Sequence, residues 1–206
     1  MVLDWLDVNG WEGIERKVVE LPYRGDDPID VYPERYIADV PGFDYMEIAE
    51  KDRTEIFSFF DADSSVLLFG SGHSFWANYV QSLPNIASVS VLDYIPEAGI
   101  GLNPGIDFYC HNILSHGITG TYDYIFSSHT IEHFTAEQIL YSILPACQAY
   151  VRKGVVFLVP YQENWSEEPS HKCLFYLGDE LFSRARKYKI IRNGLELVLW
   201  FEGLAQ

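Results

Sequence analysis

The stretch that most limits what this chain can fold into is short. Val66-Leu67-Leu68-Phe69, opened by Ser65, runs without a polar break straight into Gly70-Ser71-Gly72. A strand exposed on one face alternates apolar and polar residues, whereas a run with no polar phase is covered on both faces. Such a strand belongs inside a sheet that carries helices on either side. The glycines after it let the backbone turn and approach a ligand closely, and the helix expected from Phe75 to Leu83 offers unpaired N–H groups at its start. The next expected strand, Val89 to Leu92, closes on Asp93. That carboxylate follows the glycine turn by about twenty residues, the spacing at which an acidic side chain can accept both hydrogen bonds of a ribose diol.

The alternation continues down the chain. Strands are expected at Ile106 to Cys110, Tyr122 to Phe126 and Val155 to Val159, with a helix from Ala136 to Val151 before the last of these. A helix from Gly178 to Arg186 follows, then strands Tyr188 to Arg192 and Leu195 to Phe201 on either side of Asn193-Gly194, a dipeptide suited to a tight hairpin. The expected fold is α/β: an open, mostly parallel seven-stranded sheet with helices on both faces and a C-terminal antiparallel hairpin. A chain of 206 residues holds one core of this kind. Residues 1–43 are punctuated by glycine and proline and read as an N-terminal extension packed on the core, with a short strand expected at Lys17 to Leu21. Residues 44–206 form the domain itself, entered through a helix between Asp44 and Phe60.

Charge narrows the partners. Thirty acidic residues against fourteen basic ones give a formal charge of −16, which repels phosphate backbones and anionic lipid. Long nucleic acid and membranes are therefore not expected as partners, while small molecules, sugars and peptides remain open. Cys110, Cys147 and Cys173 are odd in number and form no CxxC pair, which fits a reducing compartment. The chain opens Met1-Val2-Leu3-Asp4-Trp5 with no basic segment leading into an apolar one. A cytoplasmic location is the expectation.

The glycine turn does not suit a dinucleotide. The third glycine of a Gly-x-Gly-x-x-Gly fingerprint falls at Phe75, whose ring would crowd a pyrophosphate. The site reads as one for an adenosine without a diphosphate.

With these residues in place, 65–201 resembles the class I S-adenosylmethionine-dependent methyltransferases. The family's acidic-x-Gly-x-Gly-x-Gly pattern aligns with Leu68-Phe69-Gly70-Ser71-Gly72-His73-Ser74, with Leu68 at the acidic position and Ser74 at the third glycine. Tyr122-Asp123-Tyr124-Ile125-Phe126-Ser127-Ser128 and the trailing Glu132-His133 resemble the family's fourth strand and the turn after it. The resemblance implies S-adenosylmethionine as cofactor, with Phe69, Gly70, Ser71, Gly72, Asp93, Tyr94, Asn112, Ile113 and Ser128 around it. Asp93 would take the ribose hydroxyls, Tyr94 would stack on adenine, and the Asn112 carbonyl would accept from the adenine amino group. It also implies a methyl acceptor, a small molecule or a glycan, bound by the loop after the fifth strand, where Tyr161, Asn164 and Trp165 are the expected contacts. Trp76 and Tyr79 are further candidates for that wall.

His129 and His171 are the candidate general bases, because an imidazole with a pKa near ~6.5 suits a hydroxyl or amine nucleophile. Two other readings stand beside the enzyme. Leu68 and Ser74 suit a non-catalytic, methyltransferase-like binding module. His129-Thr130-Ile131-Glu132-His133 spells the H-x-x-E-H signature of a zinc peptidase, with Glu196 or Glu202 as a third ligand. That signature needs both histidines on one helical face, and Thr135-Ala136-Glu137-Gln138 has the form of a capping box that starts the helix only after His133. No metal is expected on this reading.

Overall fold

A computed structural model describes residues 6–7, 50–58, 60–72, 74–161, 171–191 and 195–206. Its centre is an eight-stranded sheet. Strand β1 (Leu6–Asp7) is followed by β2 (Ser64–Phe69), β3 (Ile86–Asp93), β4 (Asp107–Cys110) and β5 (Tyr122–Ser128), then β6 (Val151–Pro160), β7 (Lys187–Ile191) and β8 (Glu196–Glu202). Their order across the sheet is β1-β7-β8-β6-β5-β2-β3-β4. The pairs β4–β3, β3–β2, β2–β5 and β5–β6 are parallel, and β8 lies antiparallel between β6 and β7. The seven expected strands are all present, and β1 adds a two-residue eighth, paired through Leu6 and Asp7 with Tyr188 and Lys187 at the β7 edge.

The apolar run in β2 divides between two cores as its two-residue period requires. Leu67 and Phe69 pack into one cluster with the helices after β4 and β5, while Val66 and Leu68 pack into the other with Trp76, Ala77 and Val80 of helix α2 (Ser74–Gln81). Helix α1 (Glu50–Phe57) joins that second layer through Ile56 and Phe57. Strand β6 repeats the division, with Phe157 and Val159 on one face and Val156 and Leu158 on the other. A sheet buried on both sides accounts for the lack of polar alternation.

The chain leaves β2 outward through β3 and β4, then returns to the other flank of β2 with β5 and continues through β6. Connections diverging from the β2–β5 pair leave a crevice beyond its carboxyl ends, where ligands bind in sheets of this kind. The opposite, amino ends are latched by Asp123. Its Oδ2 accepts from the Ser65 backbone N–H and hydroxyl, both at 2.9 Å, and its Oδ1 accepts from Arg152 Nε at 3.1 Å. Burial would raise this carboxyl, but the guanidinium and the Ser65 donors outweigh it and hold its pKa at about 2.

Several boundaries differ from expectation. The helix expected from Ala136 to Val151 is interrupted. Helix α4 (Ala136–Gln138) starts with the Thr135–Gln138 capping box, widens into a π turn at Ile139–Ile143, and resumes as α5 (Leu144–Ala149). Pro145 lacks the N–H that an α-helix would donate to the carbonyl of Tyr141, and a π turn directly before it absorbs the mismatch. Three short elements were not anticipated: a 3₁₀ turn at Pro96–Gly99, α3 (Ile113–His116), and a 3₁₀ turn at Ile131–His133. Helix α6 (Glu180–Arg184) is shorter than expected and is capped by Asp179 Oδ1 on the Phe182 N–H at 2.6 Å. The division at residue 43, the strand at 17–21 and the Asn193-Gly194 turn lie outside the described residues. Among the described residues, no helix is long and apolar enough to cross a membrane.

Candidate functional site

A solvent-open cleft, with about 550 Å³ of empty space when the adjoining solvent is counted, occupies the crevice beyond β2, β3 and β5. It is lined by Phe69, Gly70 and Gly72 from the end of β2 and the turn after it, by Asp93, Tyr94 and Ile95 from the end of β3, and by His111, Asn112 and Ile113 after β4. Thr130, His133 and Phe134, from the segment after β5, complete the lining.

Asp93 ends β3 almost wholly buried, 4% exposed. Its two oxygens are each engaged by the backbone: Oδ2 accepts the Gly72 N–H and Oδ1 the Ile95 N–H, both at 3.0 Å. Burial pushes the carboxyl above its ordinary value, and these N–H groups pull against that shift. Each carboxylate oxygen keeps a further lone pair, so the group can still accept from a diol.

Gly70 turns with φ +66, in the left-handed region that favours glycine. A side chain there is barred by space as well, because a Cβ would run into Thr130 Cγ2 and Oγ1. Thr130 donates its hydroxyl to the Gly70 carbonyl at 2.7 Å and lies near the Ser128 carbonyl at 3.1 Å, joining the ends of β2 and β5. Two hydroxyls beside this junction, Ser71 Oγ and Ser128 Oγ, are buried and have no hydrogen-bond partner among the described residues. A buried unsatisfied hydroxyl costs about 1–3 kcal/mol, which a polar ligand at this edge would offset.

Seven of the nine residues expected around a cofactor line the cleft: Phe69, Gly70, Gly72, Asp93, Tyr94, Asn112 and Ile113. Ser71 and Ser128 sit beside it, buried rather than lining. Asn112 has a second task, since its Oδ1 caps α3 by accepting the Leu114 N–H at 2.9 Å. Ile95, His111, Thr130, His133 and Phe134 also line the cleft, although sequence reasoning did not place them there. Only the closeness of Thr130 and His133 to Ser128 in sequence pointed to their place.

His129 stands differently from expectation. It has a φ of +50, and its Nε2 pairs with Glu196 Oε2 at 2.9 Å while Nδ1 faces Glu132 Oε1 at 3.4 Å. Burial alone would lower this imidazole, but the two carboxylates raise its pKa to about 10. This pairing favours the protonated imidazole, the form with no lone pair to offer as a base. The zinc-peptidase geometry is also not formed, because Ile131–His133 is a 3₁₀ turn and the helix begins only at Ala136, so that His129 and His133 share no helical face.

His171, also buried, packs its ring edge-on to His133 with centroids 4.8 Å apart. It is carried there by the chain after β6, where the Lys172 and Cys173 N–H groups donate to the Glu132 carbonyl at 2.7 and 3.2 Å. Tyr161 lies at the end of β6 and bridges to Phe175, while Asn164 and Trp165 fall outside the described residues. Trp76 and Tyr79 do not wall the cleft: both belong to the aromatic cluster of α2, with Trp76 1% exposed against Phe57 and Phe126.

Comparison with solved structures identifies the fold as that of class I S-adenosylmethionine-dependent methyltransferases. The N-methyltransferase NodS from Bradyrhizobium japonicum WM9, in complex with S-adenosyl-L-homocysteine, superposes with a TM-score of 0.58 at 14% identity, over 82% of this chain and 94% of NodS. The S-adenosylmethionine-dependent methyltransferase SibL in its apo form matches at 0.53 and 14% identity, over 72% of this chain. Coclaurine N-methyltransferase bound to N-methylheliamine and S-adenosyl-L-homocysteine matches at 0.47 and 18% identity, over 60% of this chain. The aligned part spans 52% of SibL and 39% of coclaurine N-methyltransferase. No family model and no curated protein matches the sequence.

Proposed function

We propose that this chain is an S-adenosylmethionine-dependent methyltransferase acting on the oxygen or nitrogen of a small-molecule or glycan acceptor. The observation that carries the reading is the juxtaposition of the Gly70–Gly72 turn with the Asp93 carboxylate at the crevice beyond β2 and β5. The donor set suits the cofactor. Asp93 provides acceptors for a ribose diol, Tyr94 and Ile95 provide apolar faces for adenine, and the buried hydroxyls of Ser71 and Ser128 await polar partners at the methionine end.

Bound there, the sulfonium supplies an already activated methyl group. The protein's share is then to hold the nucleophile in line and keep water out, a positioning effect that accounts for much of the acceleration in such reactions. Phe69 and Phe134 give the cleft an apolar interior suited to this, with ring centroids 6.2 Å apart. The acceptor would enter between the N-terminal extension and the segment from Tyr161 to His171, which leaves the sheet at the same carboxyl edge.

Transfer of labelled methyl from S-adenosylmethionine to a panel of small-molecule and glycan acceptors tests the reading. A second reading, a non-catalytic binding module, is favoured by Leu68, which is buried in the core at the position of the family's acidic residue. Cofactor binding with no transfer to any acceptor class would support that module over the enzyme.

A further inference from the structure

Beside the cleft, two stretches distant in sequence bring together one carboxylate and two imidazoles. Glu132, His133 and His171 each present a ligand atom within 4.8 Å of the others. The arrangement is pinned by the backbone bonds from Lys172 and Cys173 to the Glu132 carbonyl. Glu132 is 0% exposed, and His129 Nδ1 stands 3.4 Å from its Oε1. A fully buried carboxylate is retained where it is paired or binds a cation.

We propose that Glu132, His133 and His171 form a binding site for a divalent cation of the zinc class. Two imidazole nitrogens and one carboxylate oxygen are the donors such ions take, and three protein ligands leave a position open. Ligand atoms bound at about 2.1 Å to one ion stand roughly 3–4 Å apart. The three side chains therefore need to draw in by about 1 Å, within the reach of small χ adjustments. His129 and Glu196 supply the surrounding shell: His129 faces Glu132 and is itself held by Glu196, the kind of outer contact that orients a ligand carboxylate. Because His133 also lines the cleft, the open position would meet whatever occupies it. The site differs from the H-x-x-E-H arrangement, in which His129 would be a ligand.

The site rests on its own geometry and does not depend on methyl transfer. Full-length protein stripped with a chelator and titrated calorimetrically with ZnCl₂ is expected to bind one equivalent per chain. His133→Ala and His171→Ala should each weaken binding by at least about tenfold, whereas His116→Ala, at an exposed histidine outside the cluster, should not. X-ray absorption of the zinc-loaded parent, which needs no variant, should show nitrogen and oxygen ligands with two imidazoles. Binding well below one equivalent, affinity unchanged in both alanine variants, or sulfur in the coordination sphere would each overturn the proposal. S-adenosyl-L-homocysteine binding measured on the same stripped protein separates failure of this site from failure of the methyltransferase reading.

Discussion

Asp93 Oδ2 accepts the backbone N–H of Gly72, 21 residues earlier in the chain, at 3.0 Å. One carboxylate thereby fixes the glycine turn at the end of β2 to the end of β3, and both border the cleft. Asp93→Ala removes the anchor and the proposed ribose acceptor together. Affinity for S-adenosyl-L-homocysteine, measured by calorimetry, should fall at least tenfold, matching the ~1.5–3 kcal/mol of a hydrogen bond to a charged group. An unchanged affinity would remove Asp93 from the cofactor site.

Gly70→Ala should destabilise the fold by more than about 2 kcal/mol, since it combines a left-handed backbone with a Cβ driven into Thr130. In a Thr130→Gly background the steric part should vanish, so that Gly70→Ala costs only about 1 kcal/mol there, from the backbone alone. Urea denaturation of the two single variants and the double variant reads this. Simple additivity of the two losses would mean that the side chain of Thr130 is not what excludes a Cβ at Gly70.

The sheet was readable from sequence because each central strand serves two cores. The unbroken apolar run from Val66 to Phe69 is the signature of that double burial. The capping box at Thr135 was equally local, and it forms as its spacing implies. What the sequence concealed depends on contacts between distant segments. Nothing in His129 itself reveals that Glu196 will arrive from β8, and nothing near Glu132 reveals that His171 will be delivered beside it by the chain after β6. Thr130 likewise reads as an ordinary turn residue until β2 and β5 are paired and its hydroxyl meets the Gly70 carbonyl. Aromatic residues misled in the opposite direction: Trp76 is near the glycine turn in sequence, but the helical period points it into the core.

Acid should weaken the latch at the amino ends of β2, β5 and β6. The Asp123 carboxyl titrates at about 2 in the fold against 3.8 ordinarily. A depressed folded-state value stabilises fully above the unfolded pKa and is lost as pH falls through the folded one. The contribution is about 2 kcal/mol at neutral pH, and roughly half of it is gone by pH 3. The stability gap between the parent and Asp123→Asn, followed by urea denaturation from pH 7 to pH 3, should therefore narrow by roughly 1 kcal/mol. A gap independent of pH would show that the Ser65 and Arg152 contacts do not depend on the carboxylate's charge.

Whether the crevice beyond β2 and β5 holds an adenosine-containing sulfonium cofactor is decided most directly by titrating the full-length protein with S-adenosyl-L-homocysteine in a calorimeter. The expected result is saturable binding of one molecule per chain, tighter than that of adenosine alone because the Ser71 and Ser128 end of the crevice is then filled as well. Absence of binding heat, together with an unfolding temperature that S-adenosyl-L-homocysteine does not shift, would contradict the cofactor site and the methyltransferase reading built on it.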